Sequence, residues 1–154
     1  VHSQKLGGNF YQINNSSYVE GEMNYITVDH LSFPVYLGLH NESAIMPSKS
    51  LVNSVYDYLD IDDLEGHCLV QMNFSNDIID FKLDAIGKKN YIDYELFFLN
   101  SDGTFSDEIS ELATKAYIYG QATGLLNTNI QYIDGNEDFI MSFCADGMYL
   151  VEQI

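Results

Sequence analysis

Arginine and tryptophan do not occur in this chain, and proline and cysteine occur only twice each. Without arginine the chain lacks the planar fork that most often holds phosphate in a multidentate grip. Its only basic residues are Lys5, Lys49, Lys82, Lys88, Lys89 and Lys115, set against 23 acids, for a formal net charge of −17. Nucleic-acid backbones and anionic bilayers carry dense negative charge, so direct binding to either is excluded as a function class. No apolar run reaches the roughly 18 residues of a membrane-spanning helix. No basic start followed by an apolar stretch and a small-residue cleavage site is visible, and the expected location is the cytoplasm. Cys68 and Cys144 match no metal or redox spacing. Both fall in apolar, strand-like stretches and read as buried free thiols, with a disulfide between two strands as the alternative.

What is present is enough for a folded core. At 46% hydrophobic and 14% aromatic, the chain can offset its conformational entropy despite the charge. Its 154 residues suit a single domain spanning 1–154. Residues 1–24 are polar and interrupted by Gly7-Gly8, Asn14-Asn15 and Ser16-Ser17, and read as a loosely held segment with one short strand over Phe10 to Ile13.

Hydrophobic periodicity then predicts an order of elements. Tyr25 to Val28 and Val35 to Leu39 read as strands, Pro34 suiting the start of the second. From Ser48 the period becomes helical, with Leu51, Val52, Val55, Tyr56 and Leu59 on one face and Ser48 or Ser50 as N-cap. Three alternating runs follow, around Cys68 to Phe74, Ile79 to Leu83 and Ile92 to Phe98. A second helix is expected from Ser106 to Gly120 or Gly124, with Ile109, Leu112, Ala113, Ala116 and Tyr117 on one side. Strands over Asn129 to Ile133, Asp138 to Phe143 and Met148 to Glu152 close the chain, joined by hairpins at Asp134-Gly135 and Asp146-Gly147. The expected fold class is α+β: two helices, each followed by an antiparallel three-strand meander, packed on a largely antiparallel sheet.

No catalytic pattern of useful specificity is present: no glycine-rich phosphate loop, no paired-histidine zinc helix, no nucleophile elbow and no CxxC. Asp134, Asn136 and Asp138 come nearest to a calcium loop. Phe139 stands where that loop needs glycine, and Ala145 where it needs a bidentate carboxylate, so a hairpin turn is the better reading. His30, His40 and His67 are scattered, and His67 and Cys68 point to opposite faces of a strand. Neither a catalytic residue nor a metal ligand is predicted, and no cofactor.

The placement of the acids is more informative than their number. Asp107, Glu108 and Glu111 would suit the first turns of the second helix, where the helix dipole favours negative charge. Asp57, Asp60, Asp62, Asp63 and Glu65 gather instead at the end of the first helix, where the dipole opposes them, and no lysine lies among them. A third group follows if Gly87 to Asn90 closes a hairpin. Asp84 would then face Asp93 and Lys82 would face Glu95, with Asp80 beside them on one exposed face. These two groups are the predicted partner-binding residues. Tyr56, Tyr58, Tyr94, Tyr117, Tyr119 and Tyr149 are too many to be all core, and exposed tyrosine among carboxylates is the chemistry of a protein interface.

In its size, its acidity, its acidic run from Asp57 to Glu65 and its mixed helix and strand order, the chain resembles bacterial toxin-immunity proteins, including those of contact-dependent growth inhibition systems. The resemblance is to the class and transfers no individual residue. It implies a cytoplasmic inhibitor that occludes the active site of a basic cognate toxin, often a nuclease, in a 1:1 complex. The expected helix and strand order also resembles acidic type III secretion chaperones, which dimerise; a homo-oligomer is compatible with this sequence. A DNA mimic and a small enzyme with a site assembled in three dimensions are the remaining alternatives.

Overall fold

The computed structural model describes residues 3–7, 10–13, 24–26, 35–37, 47–73, 78–84, 94–121, 124–144 and 147–152. In chain order the elements are β1 (Ser3–Gly7), β2 (Phe10–Ile13), β3 (Asn24–Ile26), β4 (Val35–Leu37), α1 (Lys49–Leu59), β5 (His67–Asn73) and β6 (Ile78–Asp84). They continue with β7 (Glu95–Asn100), β8 (Phe105–Ser106), β9 (Ala113–Gln121), β10 (Gly124–Tyr132), β11 (Glu137–Cys144) and β12 (Gly147–Glu152). Two of them, β1 and β2, form an antiparallel pair within the segment expected to be loosely held.

The remaining strands build two sheets. The larger has the order β3-β4-β12-β5-β9-β7-β8, and β12 runs parallel to both β4 and β5 within it. The smaller has the order β11-β10-β6 and is antiparallel throughout. Side chains alternate across the large sheet and bury both of its faces. Leu69, Phe97, Tyr117, Met148 and Leu150 meet Val52 and Val55 of α1 on one side. Cys68, Val70, Met72, Phe98, Ala116, Ile118 and Tyr149 meet Phe81, Ile130 and Tyr132 of the small sheet on the other. The layers are therefore helix, large sheet and small sheet.

This architecture corrects the expected fold class. The described residues contain one helix, and the strands do not pair as two meanders. Where a second helix was expected, residues 107–112 form a bend, irregular backbone and a turn, and β9 runs through the interior of the large sheet between β5 and β7. A central strand buried on both faces loses the polar/apolar alternation that marks a half-buried one. Ala113, Ala116 and Tyr117 then fall by chance at helical spacing, although the run Thr-Lys-Ala-Tyr-Ile-Tyr is rich in strand-forming residues. Asp107, Glu108 and Glu111 consequently have no helix dipole to serve and lie exposed.

The expected 79–98 hairpin is also corrected. β6 pairs with β10 in the small sheet, and β7 pairs with β8 and β9 in the large one. Asp134-Gly135 does turn a hairpin, joining β10 to β11, with Gly135 at φ 89° and Asp134 Oδ1 accepting the Asn136 N–H at 2.9 Å. Asp146, of the other expected hairpin, lies outside the described residues; β11 and β12 do not pair, and β12 stands in the large sheet between β4 and β5.

Cys68 is fully buried and disulfide-bonded, which overturns the free-thiol reading. Cys144, at the end of β11, is the only other cysteine in the chain. Gly147, three positions later, stands in register with Cys68. The bond therefore lies where the chain passes from the small sheet to the large one.

Candidate functional site

The end of α1 assembles the most distinctive surface of the molecule. Ser48 caps the start of the helix, its Oγ accepting the Leu51 N–H at 3.1 Å. Asp60 ends it in the left-handed conformation, at φ 55° and ψ 49°. The Asp60 and Ile61 N–H groups reach back to the Asp57 and Tyr56 carbonyls at 3.2 and 3.1 Å. Asp63 Oδ1 then accepts the Glu65 N–H at 3.0 Å, and buried Leu64 anchors the turn beneath α1. Local structure thus accounts for Asp60 and Asp63. Asp57, Asp62 and Glu65 stand exposed beside them without such a role.

The large sheet brings a second set of residues to the same place. His67 opens β5, its Nδ1 lies 2.8 Å from the Glu65 carbonyl, and its ring stacks on Tyr119 at 5.1 Å and 10°. A carbonyl only accepts, so Nδ1 is the nitrogen that carries hydrogen. In register, Tyr119 stands between Leu69 and Glu95 on the helix side of the sheet. Tyr58 projects from α1, stacks on Phe105 at 5.1 Å and contacts Phe97 at 4.8 Å, yet remains 42% exposed.

Electrostatics tie these groups into one patch. Partial burial raises the Tyr119 hydroxyl pKa, and the charges of Glu95 and Asp63 raise it further. Tyr58 is raised by burial, then by Asp107 and Glu95. Burial also raises Tyr56, with Asp63 and Tyr119 adding to it. Neutral tyrosines and exposed carboxylates therefore share this surface. Among the lysines whose side chains are described, Lys49 lies at the opposite end of α1. Lys115 lies four residues along β9 from Tyr119, about 13 Å away. None of these acids forms an ion pair with a lysine among the described residues.

Of the predicted partner-binding residues, the structure unites Asp57, Asp60, Asp62, Asp63 and Glu65 with Glu95. It separates Asp80 and Asp84, which lie on β6 opposite Gln131 and Asn127, beyond the large sheet from α1. Asp93 lies outside the described residues. The sequence reading missed Asp107, which the expected second helix had explained away, and His67. Among the tyrosines it singled out, Tyr117 and Tyr149 are core, Tyr56, Tyr94 and Tyr119 are half-buried, and Tyr58 is exposed.

No group of three or more histidine, cysteine or carboxylate side chains is placed to hold a metal among the described residues. No helix there is long and apolar enough to cross a membrane. No family model, curated protein or solved structure matches this chain.

Proposed function

We propose that this protein is an immunity-type inhibitor, which binds a strongly basic protein through the α1-end surface and covers that partner's active site. The observation that carries this reading is the gathering of Asp57, Asp60, Asp62, Asp63, Glu65, Glu95 and Asp107 around Tyr58 and Tyr119, with no lysine among them. Opposed fields steer such an encounter, and tyrosine supplies contact area at low entropic cost. Arginine and lysine side chains of the partner would lie over the tyrosine rings with their charges on the carboxylates. A nuclease suits this chemistry best, because its own site must attract phosphate. The chaperone alternative rested on a helix and strand order that the fold does not have.

The buried disulfide bears on where the encounter happens. Cytosolic thiols are kept reduced, so a disulfide at Cys68 favours an oxidising compartment over the cytoplasm that the sequence suggested.

The test is calorimetric titration of the intact chain with the basic domain encoded beside it. The expected result is a 1:1 complex that weakens with salt and loses at least about tenfold affinity in the Asp60→Asn, Asp62→Asn, Asp63→Asn variant. Asparagine tolerates the left-handed cap at position 60 and keeps an acceptor at position 63, so this variant removes charge and preserves the turn. Unchanged affinity would move the interface elsewhere, and no complex with that domain would end the reading.

A further inference from the structure

The two ring nitrogens of His67 differ in what they can bind. Nδ1 carries the hydrogen and donates it to the Glu65 carbonyl at 2.8 Å. In the neutral ring Nε2 therefore holds a lone pair and no hydrogen, and acts as an acceptor. No protein group hydrogen-bonds Nε2 among the described residues, and the buried side-chain atoms that lack a partner there belong to other residues, so Nε2 is open to solvent. Stacking on Tyr119 at 5.1 Å and 10° fixes the plane of the ring, and the Nδ1 bond fixes its rotation within that plane. The α1-end surface thus presents one rigid neutral acceptor among its acids.

The described groups that face this ring carry negative charge or none. Asp63 and Glu65 come from the turn before β5, Tyr119 and Gln121 from β9, Glu95 from β7 by way of Tyr119, and Tyr56 from α1. On the other flank of β5, β12 opens with Gly147. Carboxylates ordinarily ionise below about pH 5 and tyrosine near about pH 10, so between them imidazole is the group whose charge changes. An acceptor set in a field of carboxylates suits a cation that only donates, and lysine and arginine have N–H groups and no acceptor. Protonation replaces the lone pair with an N–H and adds a positive charge. The same atom then meets such a cation donor to donor and like charge to like charge.

We propose that Nε2 of neutral His67 accepts a hydrogen bond from a lysine or arginine side chain of the basic partner, and that protonation of the ring releases this contact. The contact rests on the inhibitor reading of the α1-end surface and adds a positioning residue to it. The carboxylates attract the partner's charge over the whole patch, and the fixed acceptor selects where one N–H group sits. Because the complex favours the neutral ring, affinity falls as pH falls through the imidazole range. By the same linkage, binding in that range expels a proton.

Calorimetric titration of the intact chain with the basic domain encoded beside it, at about pH 7.5 and about pH 5.5 and one ionic strength, tests the proposal. The unaltered chain is expected to bind at least about fivefold more weakly at the lower pH. His67→Phe keeps the stack on Tyr119 and removes the acceptor, and should bind about tenfold more weakly at the higher pH with the fivefold pH effect gone. His67→Gln offers an amide oxygen near the place of Nε2 and does not titrate, so it should recover affinity relative to His67→Phe and hold it at both pH values. Equal affinity of the unaltered chain at the two pH values, affinity that rises on acidification, or a folded His67→Phe variant with the pH dependence of its parent overturns the contact and leaves the inhibitor reading standing. No complex at either pH ends both. A readout without variants is the nitrogen NMR spectrum of the imidazole in the unaltered chain at about pH 6. Addition of the basic domain should shift His67 toward the neutral form with hydrogen on Nδ1, and a ring that gains protonation or does not respond overturns the proposal.

Discussion

Phe81 and Phe98 meet edge to face, their ring centroids 5.9 Å apart and their planes at 83°, although their strands belong to different sheets. Both rings are almost fully buried, and together they clamp the small sheet onto the large one. Phe98→Ala is expected to cost about 3–5 kcal/mol. A double-mutant cycle with Phe81→Ala should return a coupling of about 0.5–1.5 kcal/mol, the value for an edge-to-face pair. Denaturant titration measures both. Additive losses would mean that the rings pack independently.

Gly120 lies beneath the ring of Tyr94, and a Cβ at this position would overlap that ring. Tyr94 is held there by its hydroxyl, which donates to the Gln121 carbonyl at 2.6 Å. Gly120→Ala is expected to destabilise by about 1–3 kcal/mol as the ring is displaced. The same substitution should cost less in a Tyr94→Ala background, where the space is vacant. Equal costs in the two backgrounds would show that the ring does not limit residue 120.

Tyr117 is fully buried and stacks on Phe97 at 5.2 Å and 14°, with its hydroxyl unpaired among the described residues. Burial of a hydroxyl without a partner costs free energy that phenylalanine avoids. Tyr117→Phe is therefore expected to leave stability unchanged or to raise it by up to about 1–2 kcal/mol. A clear loss on thermal unfolding would reveal a hydrogen bond at that hydroxyl.

The disulfide at Cys68 should contribute measurably to stability. With Cys144 as partner it closes a loop of about 75 residues, and bonds of this kind contribute about 2–4 kcal/mol by restricting the unfolded chain. Cys68→Ser and Cys144→Ser are each expected to lower the unfolding midpoint, and a reductant should bring the unaltered chain toward the same value. Insensitivity to reductant would count against the bond.

The tyrosines set the alkaline limit of stability. Burial raises the pKa values of Tyr56 and Tyr117 well above the ordinary value of about 10. Above pH 10 the unfolded chain has released these protons while the folded one still holds them, so folding binds protons and stability falls as pH rises. The contribution is complete below pH 10 and is lost progressively as pH climbs above it toward the folded values. Tyrosinate absorbance should show a late-titrating fraction that ionises together with unfolding, absent from the Tyr56→Phe, Tyr117→Phe variant.

Much of the local structure was legible because it depends on neighbours in sequence. The apolar spacing and the Ser48 cap marked α1, the period-two runs located β5, β6 and β7, and Asp134-Gly135 marked its hairpin. The acidic run from Asp57 to Glu65 was visible for the same reason. That Glu95, Tyr119 and His67 would join it was not, because the register of β5, β7 and β9 assembles them from three separate stretches of chain. Asp80 and Glu95, expected side by side, ended in different sheets because β6 pairs with β10 whereas β7 pairs with β8 and β9, a choice of partners that local periodicity does not encode.

By itself the sequence determined the charge, the absence of any arginine, the positions of most strands and the tyrosine supply. These follow from composition and from periodicities that act over a few residues. Tertiary structure alone decided which strands pair, that β9 is a strand buried on both faces, that Cys68 is bonded, and which acids share a surface with Tyr58 and Tyr119. Those outcomes depend on contacts between residues tens of positions apart, where burying both faces of one sheet outweighs local propensity.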